Sequence, residues 1–194
     1  MTEADTARKR RVDSERREGS IHVCPLSAVS ITVERHKASH LLTCIHDDSL
    51  VETPRRITPA NHLRLVMDDI IVSLPDYTPP NEMHIARLID FARGWGGEGP
   101  MVVHCWAGIS RSTAAAFISL CALNPDAPED LIAGRLRRVS PTAQPNRLMV
   151  RLADDALGRG GRMVDAVDAI GRGVPASEAV PFSLPARIAR TGGR

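Results

Sequence analysis

The chain has 194 residues, of which 43% are hydrophobic and 25% charged, and its formal net charge is +2. This composition is typical of one soluble globular domain that buries a core of ordinary size. Aromatic residues make up only 3% of the chain, which argues against a function built on stacking exposed bases. The net charge is too small to indicate nucleic-acid binding by itself, and a run of about 18 apolar residues, which a transmembrane helix needs, is absent.

Residues 1–18 carry eleven charged residues, six basic and five acidic, and very few that a core would bury. They predict a disordered, charged N-terminal arm. Residues 19–171 predict one globular domain, and residues 172–194, interrupted by Pro175, Pro181 and Pro185, predict a loop-rich C-terminal tail.

Short apolar segments and amphipathic segments alternate from residue 21 onward, which predicts strands alternating with helices. Strands are predicted at 21–24, 41–45, 63–67 and 101–104, and helices over 27–35, from Asn81, over 112–123, from 126 or 128 to 139, from Asn146, and over 163–170. This order predicts an α/β fold, a single domain whose central, mostly parallel sheet is covered by helices on both faces.

The four cysteines, Cys24, Cys44, Cys105 and Cys121, are spaced singly, without a CxxC pair or a companion histidine spacing. A zinc site is therefore not expected, and we predict neither a metal nor another cofactor. No apolar signal region follows the N-terminal charges, so we predict a cytoplasmic protein without a membrane partner, in which thiols stay reduced. A reduced cysteine is available as a nucleophile.

The segment that carries the clearest chemistry lies between the predicted strand 101–104 and the predicted helix 112–123. It reads His104-Cys105-Trp106-Ala107-Gly108-Ile109-Ser110-Arg111-Ser112. A tight loop at this point can aim successive backbone N–H groups at one anion, and the helix N-terminus adds a positive field. We therefore expect a phosphate to bind to the loop residues, which are Trp106, Ala107, Gly108, Ile109, Ser110 and Arg111.

The residue types within this loop suit phosphoryl transfer. Gly108 supplies the backbone freedom that a tight curl needs, and Arg111 offers a planar fork of donors that fits two phosphate oxygens. The same positive surroundings favour the thiolate of Cys105, which would attack a phosphoryl group bound above it in line. We expect Ser112 to hydrogen-bond the sulfur and His104 to order the loop backbone rather than transfer protons.

The HCxxGxxRS arrangement of residues 104–112 resembles the signature of protein tyrosine phosphatases, and residues 20–157 are similar to the dual-specificity subfamily. The resemblance implies a cysteine-dependent phosphomonoester hydrolase whose substrate is a phosphorylated protein or a small phosphoester. It also implies a general acid, an aspartate on a mobile loop after a strand. Asp69 ends the predicted strand and matches that position best, while Asp68 and Asp76 remain alternatives.

Several functions stay open at this level. The loop interior has no lysine, which argues modestly against phosphoinositides, because phosphoinositide phosphatases of the superfamily tend to carry lysines there. An RNA 5′-phosphate, a lipid or a small molecule remains possible as substrate, as does a catalytically weak phosphate-binding module or a rhodanese-like or arsenate-reducing enzyme. Asn146 is expected to cap the helix that follows it, and Gln144 is a weaker candidate for positioning water.

Overall fold

A central five-stranded sheet organises the computed structural model, which describes residues 19–188. The strands are β1 Ser20–Pro25, β2 His40–Ile45, β3 His62–Val66, β4 Pro100–Cys105 and β5 Phe182–Pro185. Their order is β3-β2-β4-β1-β5, with β1 to β4 mutually parallel and β5 antiparallel to β1. The predicted α/β fold with a mostly parallel sheet is confirmed, and the arm predicted for residues 1–18 lies outside the described residues.

Helices cover both faces of this sheet, as predicted. They are α1 Val29–His36, α2 Glu82–Trp95, α3 Arg111–Leu123, α4 Glu129–Val139, α5 Arg147–Ala156 and α6 Arg162–Ala169. On one face, Val29 and Val33 of α1 pack with Leu41 and Val102, and the larger core on the other face contains residues of α2 to α6. Between residues 19 and 188, no helix is both long and apolar enough to cross a bilayer.

Local signals explain where the helices begin and end. The side chain of Asn81 accepts a hydrogen bond from the N–H of His84, which caps the start of α2, and Gly96 ends that helix in the left-handed conformation, with φ of 67°. Helix α3 is alanine-rich and buried on nearly every side. Because it follows β4, the middle strand of the sheet, its N-terminus lies at the centre of the domain.

The segment predicted as a loop-rich tail departs from that prediction, because residues 182–185 form the edge strand β5. Leu184 pairs with Ile21 of β1 and is buried, and Ala186 and Ile188 also join the larger core. The apolar alternation is only four residues long and is bounded by prolines, which suggested turns. An edge strand tolerates such prolines, since one of its sides needs no ladder hydrogen bonds. We call residues 170–181, which join α6 to β5, the C-terminal strap.

Candidate active site

The loop between β4 and α3 curls tightly against the end of β1. Gly108 has φ of 74°, a conformation that side chains other than glycine rarely adopt. A Cβ atom at this position would lie 2.9 Å from backbone atoms of both Cys24 and Pro25. Glycine is therefore required here by the backbone angle and by the close approach of β1.

Neighbouring segments bind the carbonyl groups of this loop. Four of its carbonyl oxygens accept backbone hydrogen bonds from neighbouring segments: Trp106 from Leu26 at 3.0 Å, Ala107 from Ala179 at 2.8 Å, Ile109 from Gln144 at 2.9 Å, and Ser110 from Asn146 at 3.4 Å. Because the N–H of a planar trans peptide points opposite to its C=O, the N–H groups of Ala107, Gly108 and Ser110 point toward the loop interior. Within residues 19–188, no N–H of residues 106–110 donates to another residue, so these donors are free to bind an anion.

The guanidinium of Arg111 is buried at the base of the loop. Its Nη1 donates to the carbonyl oxygen of Met67 over 2.7 Å. Its Nε has no hydrogen-bond partner among the described residues and lies 3.9 Å from Oδ2 of Asp69, a distance that allows attraction but not a hydrogen bond. A buried cation with an unsatisfied N–H is costly unless something binds it. This environment therefore suits an anionic ligand.

The sulfur of Cys105 lies 3.1 Å from Oγ of Ser112, in the first turn of α3. The structure therefore brings together the two residues that the sequence pairs as nucleophile and supporting hydroxyl. The other three cysteines are buried in the core. Burial raises the pKa of Cys24 to about 12 and raises the pKa of Cys44 and of Cys121 well above the ordinary range of a thiol. They are neutral thiols of the core.

A chain of polar side chains runs beneath the loop. Oγ1 of Thr43 lies 2.8 Å from Nε2 of His104 and 2.8 Å from Nε2 of His62. At the outer end, Nδ1 of His62 lies 2.8 Å from Oγ1 of Thr53, which accepts from Arg64. At the inner end, Nδ1 of His104 lies 3.2 Å from the carbonyl oxygen of Cys105.

One proton arrangement satisfies every member of this chain. The Cys105 carbonyl can only accept, so His104 carries its proton on Nδ1 and its Nε2 accepts from the Thr43 hydroxyl. The Thr43 oxygen then accepts from Nε2–H of His62. Burial lowers the pKa of His104 to about 4, against the hydrogen bond to Cys105, and Arg111 adds to the lowering. A neutral His104 that holds a loop carbonyl fits the expectation that it orders the backbone.

Asp69 is the acidic residue that meets the loop. Two side chains donate to its Oδ1, Ser110 Oγ at 2.6 Å and Asn146 Nδ2 at 2.8 Å. Asn146 also donates to the carbonyl oxygen of Ile70 at 3.3 Å, and its own oxygen accepts from the N–H of Met149. The prediction that Asn146 caps a helix is confirmed, but its second role at Asp69 was not predicted.

The two alternative acids lie elsewhere on the same loop. The carboxylate of Asp68 accepts from the N–H of Thr78 at 2.8 Å, and its own N–H donates back to the Thr78 carbonyl, which closes the loop at its base. Asp76 is exposed and has φ of 63°, as expected at the tip of a turn. Neither forms a hydrogen bond with the phosphate loop among the described residues, in contrast to Asp69.

Trp106 lies on the rim of the loop, where 51% of its surface is exposed. Its ring centre lies 5.9 Å from that of His46, which follows β2. The contacts from Leu26, Gln144 and Ala179 were missed by sequence reasoning because each joins segments that are far apart along the chain.

Residues 74–134, which contain the whole phosphate loop and helix α3, match the family described as protein-tyrosine phosphatase. The matched segment is about a third of the chain, and it carries Cys105 and Arg111. This match indicates a phosphoric monoester hydrolase of the protein tyrosine phosphatase type. A comparison with curated protein sequences finds no match.

Solved phosphatase and phosphatase-like structures share the fold. DUSP15 superposes with a TM-score of 0.53 at 18% identity, over 77% of this chain and 89% of that one. The human tyrosine phosphatase-like serine/threonine/tyrosine-interacting protein gives a TM-score of 0.55 at 16% identity, over 72% and 91% of the two chains. PTPMT1, solved in complex with PI(5)P, gives 0.50 at 13% identity, over 69% and 85%. These similarities establish a fold of the dual-specificity phosphatase kind.

Proposed function

We propose that the chain hydrolyses phosphomonoesters through a cysteinyl-phosphate intermediate, with Cys105 as the nucleophile. The observation that carries this proposal is the meeting of three groups at one loop. Cys105 lies at the end of β4, the buried guanidinium of Arg111 begins α3 with its Nε unsatisfied, and Asp69 follows β3 and is bonded to loop residue Ser110. Binding alone would not need a nucleophile.

In the first step the Cys105 thiolate attacks phosphorus, and the bond from phosphorus to the ester oxygen breaks. Arg111 and the inward N–H groups of the loop stabilise the negative charge on the three other phosphoryl oxygens. The protonated carboxyl of Asp69 gives its proton to the departing oxygen, which leaves as an alcohol. The phosphoryl group is then held on sulfur.

In the second step water attacks phosphorus and the bond from phosphorus to sulfur breaks. The Asp69 carboxylate accepts a proton from this water, so the acid of the first step becomes the base of the second. The sulfur leaves as a thiolate, and the hydroxyl of Ser112 at 3.1 Å stabilises the charge on it. Phosphate then dissociates and the enzyme returns to its starting state.

The substrate is a phosphorylated protein or a small phosphoester. In this reading Trp106, half-exposed on the rim, is the aromatic residue placed to contact a substrate ring. The loop interior offers no lysine for additional phosphate groups, which does not favour a polyphosphorylated headgroup bound within the loop itself.

The test is hydrolysis of p-nitrophenyl phosphate by the wild type and by Cys105→Ser, with Cys121→Ser as the matched control. Cys121 is a buried cysteine of α3, outside the loop. Cys105→Ser should abolish turnover yet still bind vanadate or phosphate, because the backbone donors survive. Full activity of Cys105→Ser would overturn the mechanism. Phosphate binding without turnover by the wild type would instead favour a binding module.

A further inference from the structure

A cavity of about 750 Å³ lies beside the phosphate loop. Asp69, Ile109 and Ser110 line the end of it that meets the loop. The rest is lined by residues of three segments, 70–74 after β3, 142–147 before α5, and 172–176 of the C-terminal strap. The cavity has the size of a site for a small ligand.

The position of Asp69 decides which part of a substrate would occupy this cavity. A general acid must come within hydrogen-bond distance of the oxygen that it protonates. Under the function proposed above, that oxygen belongs to the leaving group. Because Asp69 lines the cavity, the leaving group extends into it, and the residues farther along its walls contact the leaving group rather than the phosphoryl group.

Much of the wall of this cavity is apolar and accessible. Ile71, Val72 and Val174 expose 55%, 60% and 60% of their surface, respectively. They come from two segments, the chain after Asp69 and the strap, that both line the cavity. Apolar surface gathered at one concave site favours a ligand with an apolar part, since burying it removes that surface from water.

Two arginines also line the cavity. Arg147 and Arg172 line both this cavity and a second one of about 370 Å³, which neither Asp69 nor Ser110 lines. Arg147 pairs with Asp168 at 2.8 Å. Arg172 forms no ion pair and no side-chain hydrogen bond among the described residues, so its guanidinium is available to a ligand.

The strap that carries Arg172 is tied to the body of the domain. Arg137 of α4 donates to four backbone carbonyls, two of the strap and two that follow α4: Ile170 at 3.3 Å, Gly171 at 2.9 Å, Ser140 at 3.4 Å and Pro141 at 2.7 Å. A Cβ atom on Gly173 would collide with the carbonyl oxygen of Thr142. Farther along, the N–H of Ala179 donates to the carbonyl of Ala107 in the phosphate loop. These contacts hold the backbone of the strap on both sides of Arg172, whose side chain is exposed.

We propose that the preferred substrates are small phosphomonoesters whose leaving group has an apolar part followed by a second anionic group, which Arg172 binds. The apolar part lies against Ile71, Val72 and Val174, and the second anion lies at Arg172. The inference rests on the proposed phosphatase function and names the substrate class of that site. It makes Arg172 a specificity-determining residue that the strap adds to the loop.

The experiment compares two aryl phosphates of equal size, phenyl phosphate bearing a para-propanoate and the same compound as its propanamide. The carboxylate supplies the second anion, and the amide removes the charge. For the wild type, kcat/KM should be about tenfold higher with the carboxylate than with the amide, and the difference should lie in KM. This is the effect expected of one charge-assisted hydrogen bond. Arg172→Ala should bring the ratio close to one, and Arg172→Lys should restore part of it. Arg151→Ala, an exposed arginine of α5 outside the cavity, should keep the wild-type ratio.

Three outcomes would overturn the proposal. The first is a wild-type ratio near one, and the second is an equal loss of the ratio in Arg172→Ala and Arg151→Ala, which would indicate only the net charge of the surface. The third is a charge preference that is seen with phosphopeptides carrying an acidic side chain and not with the aryl phosphates. Such a result would assign the subsite to a protein substrate.

The same compounds separate this proposal from the proposed catalytic function. If the wild type hydrolyses neither compound nor p-nitrophenyl phosphate, the function has failed, and the subsite is tested by binding alone. Calorimetry of the carboxylate and the amide on Cys105→Ser, with and without Arg172→Ala, then gives the affinity ratio. An affinity ratio near one in Cys105→Ser would overturn the subsite independently of turnover.

Discussion

The side-chain amide of Asn146 donates a hydrogen bond of 2.8 Å to Oδ1 of Asp69, 77 positions earlier in the chain. Ser110 donates to the same oxygen. The other oxygen, Oδ2, lies 3.9 Å from Nε of Arg111 and accepts no hydrogen bond among the described residues. The two donors therefore fix the carboxyl by one oxygen and leave Oδ2 for the leaving group, next to the group proposed to bind phosphate.

Asp69→Asn should lower kcat by about a hundredfold to ten-thousandfold with an alkyl phosphate, the usual cost of losing a general acid. The loss should be much smaller with p-nitrophenyl phosphate, because nitrophenolate leaves without a proton. Asp68→Asn and Asp76→Asn are the matched controls, since those carboxylates lie on the same loop but do not touch the phosphate loop. If Asp76→Asn shows the leaving-group dependence and Asp69→Asn does not, the general acid is misassigned.

Asn146→Asp separates the two roles of Asn146. Aspartate retains an oxygen that can cap α5, but it removes the donor to Asp69 and sets a like charge beside it. We expect kcat with an alkyl phosphate to fall by about ten- to a hundredfold, while the thermal unfolding midpoint changes little. Parallel kinetics and differential scanning calorimetry measure both. A large drop in the unfolding midpoint with unchanged kcat would mean that Asn146 serves the helix alone.

The phosphate loop could be predicted from the sequence because its parts are contiguous. Strand β4, the loop and the start of α3 occupy one unbroken segment, and hydrophobic periodicity identifies the elements on either side of it. The sequence favours Asp69 through its place at the end of the predicted strand and the resemblance to relatives, and it leaves Asp68 and Asp76 as alternatives. The donors that distinguish them, Ser110 and Asn146, reach Asp69 only after the chain has folded.

Thr43→Val should destabilise the phosphate loop, because it removes the hydroxyl that hydrogen-bonds His62 and His104. Valine has nearly the shape of threonine but leaves Nε2 of both His62 and His104 without a partner, which should cost about 1–3 kcal/mol of unfolding free energy. Because His104 holds the Cys105 carbonyl, we also expect a lower kcat. Urea unfolding and steady-state kinetics measure the two effects.

Thr32→Val is the matched control for this variant. Its hydroxyl donates to the carbonyl of Ala28, which precedes α1, so it takes no part in the polar chain beneath the loop, and it is also buried. This variant should lose some stability but keep its kcat. Equal kcat values in the two valine variants would show that the polar chain beneath the loop does not affect catalysis.

Buried neutral histidines should make the protein sensitive to acid. Burial lowers the pKa of His104 to about 4, and burial together with Arg64 lowers the pKa of His62 to about 4. In the unfolded chain both titrate near 6.5, so below that pH the unfolded state binds more protons. Stability is therefore complete above about pH 6.5 and falls toward pH 4, with a loss of about 3 kcal/mol at pH 4 from His104 alone. Urea unfolding at pH 7.5 and pH 4.5 measures the loss.

His104→Gln should show a shallower dependence of the unfolding free energy on pH. An unchanged slope of that dependence would contradict the assignment to His104.

Cysteine modification should be selective. Burial raises the pKa of Cys24, Cys44 and Cys121, so these thiols carry no reactive thiolate near neutral pH. Iodoacetamide at pH 6.5 should therefore modify Cys105 alone, and peroxide should inactivate the enzyme reversibly by oxidising the same sulfur. Bound phosphate should slow both reactions. Mass spectrometry of the native protein identifies the modified site, and two or more alkylated cysteines would contradict this expectation.

The C-terminal strap shows what periodicity alone does not predict. Its contacts are made by backbone groups, such as the N–H of Ala179 and the carbonyl of Gly171, and every residue carries these groups. The tight fit of Gly173 against Thr142 and the reach of Arg137 depend on segments that meet only in the folded chain. A cavity wall formed in this way leaves no pattern in the residues 170–181 themselves.

Strand β5 covers the edge of β1 and replaces it with a shorter edge that carries Pro185. It occupies the outer side of β1, whose Ile21 and Val23 pair with Leu184 and Phe182. A fragment ending at residue 171, the boundary that the sequence suggests, would leave β1 as an open edge with unpaired N–H and C=O groups. Such edges recruit strands from other molecules. The residues after α6 therefore cover a strand edge that would otherwise promote aggregation. Expression fragments of this domain should extend at least through residue 188.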